Sequence, residues 1–379
     1  PITLGLTYLR GIVTQALTLS PNLPYDSVDT FNALVGKWVA LFHLPMIYIL
    51  PIFLCAFVTR AFGPNRSWCQ GLAAWRFCLF ASTAFAIPFV ATAALFGPEF
   101  PALLGSLIGL AVVIPAARKG FLLPKALFAF APAKDWPGSW TGAIPSGQGT
   151  TPATAPSMSQ FRAWLPYLLI GIILVATRLP ELGLKALLAS QALSFNNILG
   201  YPGVSASIKY LYLPGTIPFM LVALLTILLH RMNRAQVLTA WHDAVICMVK
   251  PTLALVFAVA IVAIFRGSGA EDPALNPNGY PSMPLAMAQT VAGMAGQAWP
   301  MVAAFVGGLG SFITGSNTVS NLLFAEFQWG VATTLDLPRH IMVAAQVAGG
   351  AMGNMVCIHN IVAVCAVVGL TGMEGVIIR

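Results

Sequence analysis

Residues 310–328 read GSFITGSNTVSNLLFAEFQ, and they place Ser311, Thr314, Ser316, Asn317, Thr318, Ser320, Asn321 and Gln328 within nineteen positions. On both sides the chain is almost wholly Ala, Val, Leu, Phe, Met and Gly. The segment 284–308 ahead of the run is apolar and long enough to span a bilayer, whereas the LGSFIT after it is too short to cross anything. GSNT at 315–318 has turn chemistry, and VSNLLFAEFQWGVATTL at 319–335 is helical again. This pattern predicts a re-entrant hairpin over 306–335 with a non-helical tip at membrane depth. Backbone of that kind is tolerated there only where protein or a water-filled cavity surrounds it. The tip is therefore expected to face a site.

Asn317, Asn321, Phe324 and Gln328 fall at i, i+4, i+7 and i+11, on one face of the returning helix. Their amides, the hydroxyls nearby and the free N–H groups at the helix N-terminus suit a carboxylate. Ser316, Asn317, Thr318, Asn321 and Gln328 are the first candidate substrate-binding residues. The competing reading is a helix–helix seam glued by small polar residues, but such a seam rarely needs a turn at its middle.

A second interruption falls in QVAGGAMGNMVCIHNIVAV (346–364), within a broken helix expected over 337–370. Three glycines, Gly349, Gly350 and Gly353, precede Asn354, His359 and Asn360. Broken helices whose ends converge near the midplane are how secondary transporters hold substrate and coupling ions, so Asn354 and Asn360 join the substrate-binding candidates. His359, with a reference pKa of about 6.5, is a proton-coupling candidate; a neutral histidine bonded to a carbonyl is the alternative. Glu326 is the one acid inside an apolar run. It lies nine residues past Asn317, facing away from the amides, and is the second proton-coupling candidate unless it reaches the cytoplasmic mouth.

The totals set the class. Of 379 residues, 58% are hydrophobic and only 8% charged, with a mean hydropathy of +0.82, against roughly 25% charged in soluble domains. The fold class expected is all-α: a polytopic membrane protein with broken helices. Apolar spans are read at 37–60, 71–97, 99–117, 163–180, 214–230 and 246–266. Segments 60–76, 118–162 and 230–250 carry eleven Lys and Arg against Asp135 and Asp243, while the alternate segments balance six cations with six acids. By the positive-inside rule the polar loop 118–162 is cytoplasmic. Arg76 enters its span by only a few residues and is expected to snorkel to that side.

The net charge of +8 is scattered and forms no basic face, so no nucleic-acid partner is expected. The six cysteines lack metal-type spacing, and neither a metal site nor a cofactor is expected. No HExxH is present, nor a deep Ser or Asp with a base beside it, so no catalytic residues are assigned. No Lys or Arg lies deep in a span, which suits a small monoanion better than a di- or tricarboxylate.

GSFITGSNTVSNLLFAEFQ and QVAGGAMGNMVCIHNIVAVCAVVGLTGMEGVIIR resemble the C-terminal signature of bacterial L-lactate permeases, which also take glycolate. WLPYLLIGIILVATRLP, IKYLYLPGT and KPTLALVFAVAIVAIFRGSG resemble the same family in the same order. The resemblance implies proton symport of small 2-hydroxy monocarboxylates (lactate, glycolate) across the cytoplasmic (inner) membrane. It also implies the ion-transporter superfamily's inverted repeats, each with a re-entrant hairpin, and contact of Ser316, Asn317 and Thr318 with substrate or a coupling cation. For Asn354, His359 and Asn360 it supplies no role. PITLGLTYL at 1–9 resembles the stretch just after the tip of the first hairpin. Residues 1–117 are therefore expected to hold the end of the first repeat and the helices after it, with the second repeat over 163–379. The chain would then be a piece lacking most of the first repeat and the last helix. The rivals are a sodium-coupled carrier of another small anion, since the tip oxygens could coordinate Na⁺, and a membrane-embedded enzyme, for which the catalytic pair is missing.

Overall fold

The described residues of the six apolar spans fold mainly as helix, with a break at 73–74 near the start of the second; helix is the structure in which a single segment bonds its own backbone polar groups away from water. The structure is a computed structural model that describes residues 6, 9–19, 23–125, 128–130, 132, 158–178, 182–200, 206–208, 210–212, 216–269, 276–368 and 374–378. In chain order the helices are α1 (Leu9–Leu19), α2 (Val28–Phe62), α3 (Trp68–Leu72), α4 (Trp75–Leu95), α5 (Pro101–Arg118), α6 (Gln160–Arg178) and α7 (Leu184–Ser190). After the short strands β1 (Leu193–Phe195) and β2 (Ala206–Ile208) come α8 (Ile217–Leu229), α9 (Arg234–Gly267), α10 (Met283–Ala295), α11 (Trp299–Thr314), α12 (Asn317–Thr334), α13 (Arg339–Met355), α14 (Ile358–Val368) and α15 (Glu374–Ile378). Among the described residues, α2, α4, α5 and Gln160–Thr177 of α6 are long and apolar enough to cross a membrane. The polar loop expected at 118–162 falls largely outside the described residues.

Local chemistry explains how α2 begins and how it survives its prolines. Ser27 and Thr30 form a reciprocal capping box, each hydroxyl accepting from the other residue's backbone N–H. Pro51, inside α2, has no N–H to give the carbonyl four residues back, that of Ile47. Ser82 of α4 donates its hydroxyl to that Ile47 oxygen at 2.8 Å. Ser82 thus mends a neighbour's broken ladder rather than bonding within its own helix, as Thr83 and Thr92 do to Leu79 and Pro88. Ile49, Phe53 and Phe57 on α2 and Ile108 and Val112 on α5 are exposed, an apolar surface suited to lipid.

The chain divides into two compact units, one of Pro1–Gly149 with Ala258–Arg379 and one of Thr150–Phe257. In the second, α6 packs on α8, and β1 pairs antiparallel with β2, Ser194 opposite Ser207. This ribbon lies in the connection between α7 and α8.

The first unit carries the polar run. Its core joins Leu9 and Val13 of α1 and Phe31 and Val35 of α2 to Trp329 of α12 and Val343 and Val347 of α13. Ala288 and Ala292 of α10 and Ala303 of α11 pack against Phe327 and Val331 on another side of α12. Glycines let α11 and α13 meet backbone to backbone. A methyl group at Gly349 would overlap the Ala304 carbonyl, and one at Gly353 the Gly308 carbonyl.

Segment 284–308 does not form the single span read from its composition. Gly296 takes φ +51°, and a 3₁₀ turn over Gly296–Ala298 separates α10 from α11. The approach to the tip is therefore the whole of α11, sixteen residues, and the return is the eighteen residues of α12. At ~1.5 Å per residue these arms are about 24 and 27 Å long, short of the ~30 Å hydrocarbon core.

Candidate functional site

The hairpin turns on two residues. Gly315 closes α11 in the left-handed region, φ +69°, and its N–H donates to the Ser311 carbonyl at 2.8 Å; glycine meets no steric penalty there. Ser316 is extended and caps α12, its hydroxyl accepting from Val319 N–H. Helix therefore resumes at Asn317. The backbone N–H groups of Asn317 and Thr318 open the helix, where no intrahelical carbonyl is available to them.

Just past the tip lies a cluster of buried polar groups with unused bonding capacity. Asn321 is fully buried and neither its Oδ1 nor its Nδ2 has a partner; Ser311 Oγ and Asn317 Oδ1 are also buried without one. Asn317 is anchored by its Nδ2, which donates to the Val347 carbonyl at 3.2 Å. Gly350 forms the wall opposite: a methyl group there would run into Asn317 Oδ1 and crowd Ser311 Oγ. A buried polar atom left unbonded costs about 1–3 kcal/mol. Four such atoms from three residues of one hairpin call for a bonding partner.

Farther along α12 a second polar cluster is closed. Gln328 Oε1 accepts from Trp299 Nε1 at 2.8 Å, and its Nε2 donates to the Ala303 carbonyl and to Gln346 Oε1. Gln346 Nε2 donates to Ser320 Oγ, and Ser320 donates to the Gly307 carbonyl. Gln328 shares a helix face with Asn321, yet both its amide hydrogens are already committed within the protein.

Glu326 points elsewhere, as its spacing requires. It is buried, and its Oε1 accepts from the hydroxyl of Ser282 at 2.9 Å. Ser282 is the residue at which α10 begins, so the carboxyl lies by a helix N-terminus that favours negative charge. The helix interruption after Gly353 falls at Val356 and Cys357, between α13 and α14. Asn360 Nδ2 donates to the Asn354 carbonyl at 2.7 Å across the break, and Cys357 Sγ lies 3.8 Å from Asn354 Oδ1. The side chain of His359 lies outside the described residues. The hairpin thus brings Ser316, Asn317, Thr318 and Asn321 together, whereas Asn354 and Asn360 bond to each other. Ser311 and Gln346 belong to the polar clusters although spacing along α12 cannot reveal them. Ser311 was in view as the first polar residue of the run, and Gln346 as a polar residue between Ala345 and Val347.

A family model described as L-lactate permease matches residues 13–379. The chain belongs to the L-lactate permease family. It is 30% identical over 300 residues to a putative L-lactate permease of Haemophilus influenzae, covering 74% of this chain and 51% of that protein. Over 372 residues it is 25% identical to the L-lactate permease of Escherichia coli K12, covering 93% and 61%. Over 379 residues it is 25% identical to the glycolate permease of the same organism, covering 93% and 62%. The chain therefore spans about half to three-fifths of the length of these relatives. No solved structure matches it. As a member of a permease family with several apolar helices, it is a multi-pass membrane protein.

Proposed function

We propose that the protein carries L-lactate and related small 2-hydroxy monocarboxylates such as glycolate across the cytoplasmic membrane, in symport with protons, and binds them at the hairpin tip. The observation that carries this reading is the open cluster of Ser311, Asn317 and Asn321. A carboxylate there accepts from Asn321 Nδ2, Ser311 Oγ and the first N–H groups of α12, and the 2-hydroxyl donates to Asn317 Oδ1. The chemistry is neutral donors plus a helix dipole of about half a charge, which matches one negative charge and not two or three. Ser316 and Thr318 shape the tip. Gln328 holds the arms in register, and Asn354 with Asn360 staples the neighbouring break. Glu326 carries the coupling proton, released and taken up beside Ser282; His359 is the second candidate. The 118–162 loop is cytoplasmic, on its charge. The names of the relatives from Haemophilus and Escherichia support the substrate class.

A second reading has its own support, since three of the unbonded atoms, Ser311 Oγ, Asn317 Oδ1 and Asn321 Oδ1, are oxygens able to ligate sodium. Full-length protein in liposomes decides between them. Labelled L-lactate should accumulate under a proton gradient without sodium. Accumulation driven only by a sodium gradient would transfer the tip oxygens to the cation, and no lactate uptake under either gradient would sink both readings.

A further inference from the structure

A small cleft opens at the N-terminal end of α13. Its volume is about 340 Å³, at the lower end of the ~300–1,000 Å³ usual for small-molecule sites. Its polar lining is Tyr25, from the segment before α2, with Asp336, Arg339 and His340 around the start of α13. Tyr25 is only 5% exposed and its hydroxyl is buried without a hydrogen-bond partner. Burial raises its pKa, against a weaker downward pull from Arg339 beside it, by proximity to the hydroxyl first and by charge second, so the hydroxyl keeps its proton and remains a donor. The Arg339 guanidinium is held in place by Trp329, whose ring it overlies at 5.5 Å, and by Thr333 Oγ1, which accepts from Nε at 2.9 Å. Among the described residues neither Arg339 nor Asp336 forms an ion pair. Pro338 precedes α13 and offers no side-chain cap, so the first N–H groups of that helix also open towards this end.

These groups form a complementary set. A guanidinium, an unpartnered tyrosine hydroxyl and an uncapped helix N-terminus receive a carboxylate, and Asp336 beside them accepts a hydrogen bond from a hydroxyl. Asp336 also opposes any anion that brings no hydroxyl to it. We infer that this cleft is a docking vestibule for the same class of 2-hydroxy monocarboxylate, occupied independently of the hairpin tip. The inference rests on the transport reading above. Gly350, at the tip cluster, lies eleven residues along α13 from Arg339, about 16 Å at the helical rise, so both sites stand on one helix. The cleft sits at the N-terminal end of α2, whose other end leads to Arg60, Arg66 and Arg76. On the positive-inside rule it faces away from the cytoplasm, where an incoming anion arrives.

The test is calorimetric titration of purified full-length protein with L-lactate and with propionate, which lacks the hydroxyl. Wild type should bind two L-lactates per chain. Tyr25→Phe and Arg339→Gln should each weaken one of the two by on the order of tenfold or more and leave the other, whereas Asn321→Leu should remove only that other. Asp336→Ala should erase the preference for lactate over propionate at the vestibule. Tyr25→Phe keeps the ring and its packing, so it guards against misfolding of the Arg339 variant. A single lactate site, lost in Asn321→Leu and unchanged in Tyr25→Phe and Arg339→Gln, would overturn the vestibule and leave the carrier reading standing. No lactate binding by wild type would overturn both.

Discussion

Two polar clusters occupy one face of α12, two turns apart. The one around Gln328 is closed, for Trp299, Ala303, Gln346, Ser320 and Gly307 use each other's donors and acceptors. The one around Asn321 is open, with four buried polar atoms unbonded. Residue types do not separate them, since both are amides and serines between glycine-lined helices. What separates them is whether a neighbouring helix offers a partner: Ser320, beside Asn321 in the sequence, is already bonded to Gly307 and Gln346. At Gln328 the neighbouring helices supply partners in Trp299, Ala303 and Gln346, whereas Gly350, the wall facing Ser311 and Asn317, has no side chain to offer. A closed network fixes how helices pack; an open one has capacity left for a ligand.

The most disruptive way to probe this contrast is to separate α11 from α13, on which both clusters depend. Gly349→Leu drives a side chain into the Ala304 backbone, and full-length protein should fail to give a monodisperse peak on size-exclusion chromatography. A normal peak with normal uptake would mean that the close approach of the two helices is dispensable. Gly350→Ala touches only the open cluster, where the added methyl meets Asn317 Oδ1. Losing a hydrogen bond to a charged ligand costs about 1.5–3 kcal/mol, so L-lactate affinity should drop roughly ten- to a hundredfold with membrane levels unchanged. Unaltered affinity would place the substrate elsewhere.

Glu326→Gln sharpens the contrast from outside both clusters. The amide keeps the contact with Ser282 but carries no titrating proton, so proton-driven accumulation should fall severalfold while lactate counterflow stays near wild type. Equal loss of both would make Glu326 a structural partner of Ser282. The smallest effect is expected at Arg76, whose guanidinium overlies Trp75 at 5.4 Å at the start of α4. Arg76→Lys keeps a long cationic stem, and surface changes of that kind stay within about 0.5 kcal/mol, so uptake should remain within about twofold. Abolished uptake in an inserted protein would put a cation at the substrate after all.

The helices were legible because a span announces itself by length and apolarity, and the turn at 315–316 because glycine followed by a capping serine has few other uses. The break at Gly296 was hidden, since Gly296 stands among apolar residues that read as one continuous segment. The face bearing Asn317, Asn321 and Gln328 followed from spacing, as did the placement of Glu326 away from it. The difference between Asn321 and Gln328 could not follow from spacing, because it depends on Trp299 and Gln346, one on each neighbouring helix. Ser311 escaped for the same reason: it becomes part of the open cluster only when α11 folds back against α12. The ribbon of β1 and β2 left no signal, being three residues a side within a long connection.

The central claim is that the open cluster binds substrate and the closed one holds the fold. The most direct measurement pairs ligand-free melting temperature with L-lactate affinity in full-length Asn321→Leu and Gln328→Leu. Asn321→Leu removes an amide whose buried, unbonded atoms each cost about 1–3 kcal/mol. The ligand-free protein should therefore melt higher, while lactate binding weakens by on the order of a hundredfold. Gln328→Leu strands Trp299 Nε1 and Gln346, so melting should drop by several degrees with affinity within about threefold of wild type. An Asn321→Leu protein that melts lower and binds lactate as wild type does would contradict the account.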